Sequence, residues 1–151
     1  MKNWYECKVR YEITTDSGST KRVTESYLVD ALSCTEAEAR VIKEVDSYAG
    51  GTLNVLSVKK TNYKEVFLSS LSYPRFFKMK VAFITLNEDS GEEIETNNFL
   101  LVEASDLRSS LDRLDELMKG ALADYSVKSI SETNIMGVFL HKEESGARDD
   151  Q

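Results

Sequence analysis

The chain resembles itself at a spacing of 72 residues, and this internal similarity constrains its fold more than any other feature. When residues 4–68 are aligned with residues 76–140, about 14 of the 65 pairs are identical. The Asp-Ser-Gly turns at 16–18 and 89–91 are 73 residues apart, so a one-residue shift is absorbed around them. The pattern predicts a tandem duplication. The alternative is that two α+β stretches share a pattern through periodicity alone.

Each half predicts the element order β-β-α-β-β. The first segment alternates in the manner of a half-buried strand, with Tyr5, Cys7, Val9, Tyr11 and Ile13 facing inward. After the turns, return strands are predicted near residues 22–31 and 93–104. A third strand is predicted at 53–60 and at 125–131, and the apolar ends 66–68 and 138–140 are expected to close their own units.

One amphipathic helix is predicted in each half. In the first, Thr35 and Glu38 have capping-box spacing, and Gly50-Gly51 is expected to end the helix. In the second, Ser105 and Asp106 are candidate caps. The apolar stripes predicted to face the sheet are Ala39, Ile42, Val45 and Ala49, and Leu107, Leu111, Leu114, Met118 and Ala121.

The predicted fold is therefore α+β, with repeat 1 at residues 1–72 and repeat 2 at residues 73–142. Because each half offers only one amphipathic helix, we expect the halves to pack as one pseudo-two-fold domain. One merged antiparallel sheet with two helices on one face is the simplest layered arrangement. The tail at 143–151 carries four acidic residues and one basic residue, and it is predicted to be disordered.

The charge balance argues against duplex nucleic acid as a ligand. The chain carries 26 acidic and 19 basic side chains, a net charge of −7. Such a chain repels a phosphate backbone at long range. No apolar run is long enough to span a membrane, and two unpaired cysteines without a secretory signal predict a cytoplasmic protein.

Few residues could carry catalysis. His141 is the single imidazole, and it is expected at an exposed strand end. Cys7 aligns with Met79 and is predicted to be a buried, unpaired core residue. Cys34 precedes the expected helix cap without a nearby base. Carboxylates such as Glu92, Glu93 and Glu95 are typical of a solvated surface. No metal-ligand spacing or phosphate loop is present, so the sequence predicts a non-enzyme without metal or cofactor.

Two groups of residues are candidate ligand contacts. The first lies on the outward face of the opening strands, where aromatic and cationic side chains could stack a base and pair a phosphate. Its members are Trp4, Lys8, Arg10, Phe76, Lys78 and Lys80. The second group is Thr61, Asn62, Thr133 and Asn134. The structural alternatives are a solvated sheet face for the first group and a turn between strands for the second.

Three stretches of the chain resemble a family of uncharacterised proteins found in Bacteroidota and their phages. They are Asn3–Glu12 with the residues Val23–Ala31 and Thr35–Arg40 that follow, and the later run Phe77–Leu86. The resemblance covers about residues 3–140 and carries no transferable chemistry. It implies a small intracellular bacterial or phage protein, and phage occurrence suggests an anti-defence role by association only.

Three functions remain open from the sequence. The first is a non-enzymatic binding protein that sequesters a small anionic or nucleotide ligand, near the pseudo-two-fold axis or at a homo-oligomer interface. The second is a protein–protein adaptor or structural protein that binds a host protein. The third is a single-stranded nucleic-acid binder, which the net charge disfavours.

Overall fold

The computed structural model describes residues 3–47, 49, 52–121 and 123–141. Within them the order β-β-α-β-β occurs twice, so the predicted α+β class is confirmed. The first series is β1 (Asn3–Thr14), β2 (Thr20–Ala31), α1 (Cys34–Asp46), β3 (Asn54–Lys60) and β4 (Tyr63–Phe67). The second is β5 (Arg75–Leu86), β6 (Glu93–Ala104), α2 (Leu107–Leu117), β7 (Asp124–Glu132) and β8 (Ile135–Phe139). Neither helix of these described residues is long and apolar enough to cross a membrane.

The strands form two four-stranded sheets, and the prediction of one merged antiparallel sheet is wrong. Sheet A has the order β3-β1-β2-β8, and sheet B has the order β4-β6-β5-β7. Most pairs are antiparallel, but β8 lies parallel to β2 and β4 lies parallel to β6. Periodicity shows which residues share a face of a strand, but it does not show which sheet a strand joins.

The last strand of each half completes the sheet that the other half begins. One compact unit contains the chain up to Thr61 together with the residues from Ile135, and the other contains Asn62–Asn134. The expectation that residues 66–68 and 138–140 close their own units is therefore wrong. The chain passes between units at two short segments, Thr61-Asn62 and Thr133-Asn134, and we call β4 and β8 the exchanged strands.

An arginine on each helix holds the end of the exchanged strand in its own unit. Arg40 on α1 donates from Nη1 to the carbonyl of Asp30 at 2.6 Å and from Nη2 to the carbonyl of Leu140, just beyond β8. Arg113 on α2 donates from Nη2 to the carbonyl of Leu68 at 3.2 Å, just beyond β4. These bonds satisfy carbonyls that lie outside the strand ladders.

Helix α1 is rotated relative to the sequence prediction. Its buried residues are Ala37, Val41 and Val45, whereas Ile42 is 39% exposed. The N-cap is Ser33, whose hydroxyl accepts the N–H of Glu36, so the predicted cap at Thr35 is two residues late. Because the apolar residues Ala39 and Ile42 also fit a 3.6-residue period, the pattern alone did not distinguish the two faces. The predicted stop at Gly50-Gly51 lies outside the described residues.

Helix α2 confirms its predicted cap and most of its stripe. Asp106 accepts the N–H of Ser109 at 2.8 Å, and the Ser109 hydroxyl accepts the N–H of Asp106, which together form a capping box. Leu114 is fully buried and Leu111 is half-buried. Leu107, however, is 52% exposed, because it lies in the first turn beside the cap.

The two hairpins confirm the predicted turns and explain the shift in spacing. Gly18 and Gly91 have φ values of 89° and 75°, which glycine adopts without a Cβ clash. The first hairpin closes with Thr14 opposite Thr20 and the second with Leu86 opposite Glu93, so the second loop is one residue longer.

Candidate functional site

Trp4 and Phe76 lie on the predicted sheet faces, opposite the helices, but they are not solvated. Their exposed fractions are 5% and 6%. Leu28 and Leu101, on the same faces of the neighbouring strands, are also buried. The predicted solvated face is therefore wrong at this end of each sheet, and the two rings present little surface for stacking a base.

The two predicted groups of ligand contacts meet through backbone hydrogen bonds. Thr61 donates from its backbone N–H and from its hydroxyl to the carbonyl of Trp4, both at 2.8 Å. Thr133 donates in the same way to the carbonyl of Phe76, at 2.9 and 2.8 Å. These threonines hold the points where the chain leaves one unit for the other. Asn62 and Asn134 are exposed beside them.

The lysines of β5 lie beside aromatic rings. The Nζ atom of Lys78 is 4.8 Å from the centre of the Phe99 ring and 5.9 Å from that of Tyr63. Lys80 is directly opposite Phe99 in the strand register. The positive charge of Lys78 is thus already engaged by two π faces, which leaves it less suited to pairing a phosphate.

Lys8 and Arg10 on β1 have a different environment, which we call the Lys8–Arg10 strip. Lys8 is exposed and Arg10 is half-buried, and both face away from α1. The side chains opposite them on β2 and β3 are all uncharged and polar. They are Ser26 and Ser57 opposite Lys8, and Thr24 and Asn54 opposite Arg10.

The two cations of the strip have no carboxylate partner. No ion pair among the residues that the structure describes includes either of them. The nearest carboxylates along β1, Glu6 and Glu12, lie opposite Lys59 and Arg22. The strip is thus a local positive surface on an acidic chain. Sequence reasoning found Lys8 and Arg10 but missed their polar neighbours, because the β3 register includes an irregularity next to Lys8.

His141 takes part in a local contact beyond the end of β8. Its Nε2 atom is 2.8 Å from Oε2 of Glu36 on α1. A hydrogen bond from the N–H of Leu32 is the main cause that lowers the pKa of Glu36, and His141 adds to it. The expected exposed histidine is therefore half-buried and paired.

The thiols match the sequence prediction. Cys7 is fully buried and unpaired, as predicted, and burial raises its pKa to about 12. Cys34 is exposed and is the first residue of α1. Across the described ranges, no group of three His, Cys, Asp or Glu side chains is placed to hold a metal ion.

One buried polar contact escaped sequence reasoning. Glu25 on β2 accepts hydrogen bonds from the hydroxyls of Tyr11 at 2.7 Å and Tyr27 at 2.6 Å. The Tyr27 ring stacks on Phe139 of β8 with 5.1 Å between ring centres. Only the inward orientation of Glu25 signals this cluster, and that orientation depends on the register opposite Val9. The cluster anchors the exchanged strand.

Comparison with known proteins places the chain in one family. A family model described as "Domain of unknown function (DUF4494)" matches residues 3–142, which is nearly the whole chain. No curated protein matches it.

Proposed function

The chain belongs to the DUF4494 family, and we propose that it is a non-enzymatic protein that binds a small anionic ligand on the Lys8–Arg10 strip. One observation carries the proposal. Two neighbouring cations lack carboxylate partners and face hydroxyl and amide groups on both sides. Such a surface can offer a phosphate both charge and hydrogen-bond donors.

The ligand class follows from charge and burial. Arginine binds phosphate and carboxylate through its planar fork, and lysine adds a second point charge. The net charge of −7 opposes long polyanions more than small ones, which disfavours the single-stranded nucleic-acid alternative. Since Trp4 and Phe76 are buried, a nucleotide would be held through its phosphates rather than by stacking on these rings.

We further propose that the chain arose by tandem duplication. Three equivalences support this proposal. The β1–β3 and β5–β7 ladders both shift register after a lysine, Lys8 and Lys80, 72 residues apart. Arg40 and Arg113 bind the carbonyls of Leu140 and Leu68, although here the arginines are 73 apart. Thr61 and Thr133 make the same pair of bonds. The pseudo-two-fold arrangement stays a prediction.

The sequence resemblance supplies the proposed setting. In a bacterium or its phage, a protein that sequesters a nucleotide signal would lower the concentration available to a defence system. A cytoplasmic location, self-association and a disordered acidic tail stay predictions, and the tail lies outside the described residues.

A thermal-shift and calorimetric panel of mononucleotides, cyclic nucleotides and inorganic phosphate tests the proposal. A ligand that binds only the folded state raises the unfolding midpoint. Lys8→Glu and Arg10→Glu should each weaken binding by about tenfold or more, because a hydrogen bond to a charged group contributes about 1.5–3 kcal/mol.

Lys64→Glu is the matched control. It makes the same change in net charge at an exposed position on β4, and it should leave the dissociation constant within about twofold. If no member of the panel binds, or if all three variants weaken binding equally, the strip is not the site.

A further inference from the structure

An open apolar depression lies at the hairpin end of sheet B. Its volume is about 460 Å³. Its lining residues are Ile84, Thr85, Leu86, Glu93, Ala123 and Asp124. Leu86 is 65% exposed, an unusual state for a leucine inside a regular strand. Because Ile84 and Leu86 share the sheet face opposite α2, the depression has an aliphatic floor that no helix covers.

Carboxylates surround this floor. Glu93 lies opposite Leu86, and Asp124 lies opposite Ile84. Residues 84–96 contain five acidic side chains and no lysine or arginine. Of these five, Glu95 alone has an ion pair within the part of the chain described, with Lys128 at 3.2 Å. The rim therefore presents unpaired negative charge around an apolar centre.

The corresponding hairpin of the other unit lacks this combination. Residues 12–24 contain Glu12 and Asp16 together with Lys21 and Arg22, so that hairpin is balanced in charge. The acidic rim is thus particular to one hairpin and is not a general property of the fold.

We propose that this depression is a docking site for a basic peptide segment of another protein that carries aliphatic side chains. Its aliphatic groups would cover Ile84 and Leu86, and its lysines or arginines would pair with Glu93 and Asp124. Charge complementarity selects this partner, since a small anion or a nucleic acid would be repelled. The site is separate from the Lys8–Arg10 strip, and it supports the adaptor alternative on independent grounds.

Fluorescence anisotropy of a labelled short peptide that alternates lysine and leucine, titrated with the full chain, tests this inference. Binding should weaken as salt rises from about 0.05 M to about 0.5 M, because the contacts at the rim are screened. Leu86→Ala should weaken binding by about tenfold, because it removes the apolar contact. Asp124→Asn should weaken it by about two- to fivefold.

Matched variants and peptides decide the outcome. Leu71→Ala removes a leucine that is 70% exposed elsewhere, and Asp16→Asn removes a carboxylate from the balanced hairpin. Both should leave the affinity unchanged. Absence of binding, equal binding of a glutamate–leucine peptide, or equal losses in the control variants would each overturn the proposal. Unchanged calorimetric binding of the anionic ligand in Leu86→Ala would keep this result distinct from the Lys8–Arg10 strip.

Discussion

At the residue scale, the two cysteines should differ sharply in reactivity. Burial raises the pKa of Cys7 to about 12, so at pH 8 its thiol is protonated and inaccessible. Cys34 is exposed at the start of α1. Brief treatment of the native protein with iodoacetamide should therefore modify Cys34 and leave Cys7 unmodified by peptide mass spectrometry. Rapid labelling of Cys7 without denaturant would show that this core opens locally.

Glu36 should contribute to stability in a defined pH range. Its folded-state pKa is below the usual 4.5, because the N–H of Leu32 bonds the charged form. A depressed pKa stabilises the fold above the unfolded-state pKa, and this stabilisation is lost as pH falls through the folded value. Urea unfolding of Glu36→Gln and the wild type should therefore differ at pH 6 and converge near pH 3. A constant difference between them would contradict this prediction.

The candidate site shows what residue-level reasoning could reach. Alternation placed Cys7 inside and Lys8 outside, and both assignments hold. The same alternation placed Trp4 in solvent, where the structure buries it. Period-two patterning separates the faces of a strand, but it carries no information on whether the second face is covered.

At the element scale, the buried stripe of α2 should dominate its energetics. Leu114→Ala should cost about 2–5 kcal/mol, the usual range for a truncated core leucine. Glu116→Ala, whose side chain is exposed and paired only with Lys119, should cost within about 0.5 kcal/mol. Chemical denaturation of both variants measures the contrast. Equal losses would show that the helix presents another face to the sheet.

The rotation of α1 gives a second contrast between neighbouring residues. Val41→Ala should destabilise the protein by about 2 kcal/mol, since Val41 is fully buried. Ile42→Ala should cost clearly less, because Ile42 is 39% exposed although it is the larger side chain. Urea midpoints of the two variants are sufficient to compare them, and a larger loss for Ile42→Ala would support the face predicted from sequence.

Element types were predictable and their partners were not. The capping residue Asp106 and the glycine turns carry local signals, and both were found from sequence. The exchanged strands are five residues each, and their apolar side chains suit either sheet. Choosing between sheets depends on long-range pairing, which no local pattern encodes.

At the scale of the whole molecule, the exchanged strands should keep a cut chain together. A protease site introduced at residues 69–73, between β4 and β5, divides the chain into two pieces. Each piece supplies a strand to the sheet of the other, so both pieces should co-elute in size-exclusion chromatography after complete cleavage. Denaturing electrophoresis would confirm that the cut is complete. Separation of the pieces in native buffer would contradict the strand order.

The strand order also sets when the protein can mature on the ribosome. β2 emerges early, but its parallel neighbour β8 is the last strand to be synthesised, and Ser26 pairs with Ile135. Until β8 leaves the exit tunnel, one edge of β2 has no partner and the Tyr27 ring lacks Phe139. Closing so long a loop is slow relative to local pairing. The nascent chain therefore exposes an open strand edge for most of its synthesis, and its first half reaches its final form only when its last strand arrives.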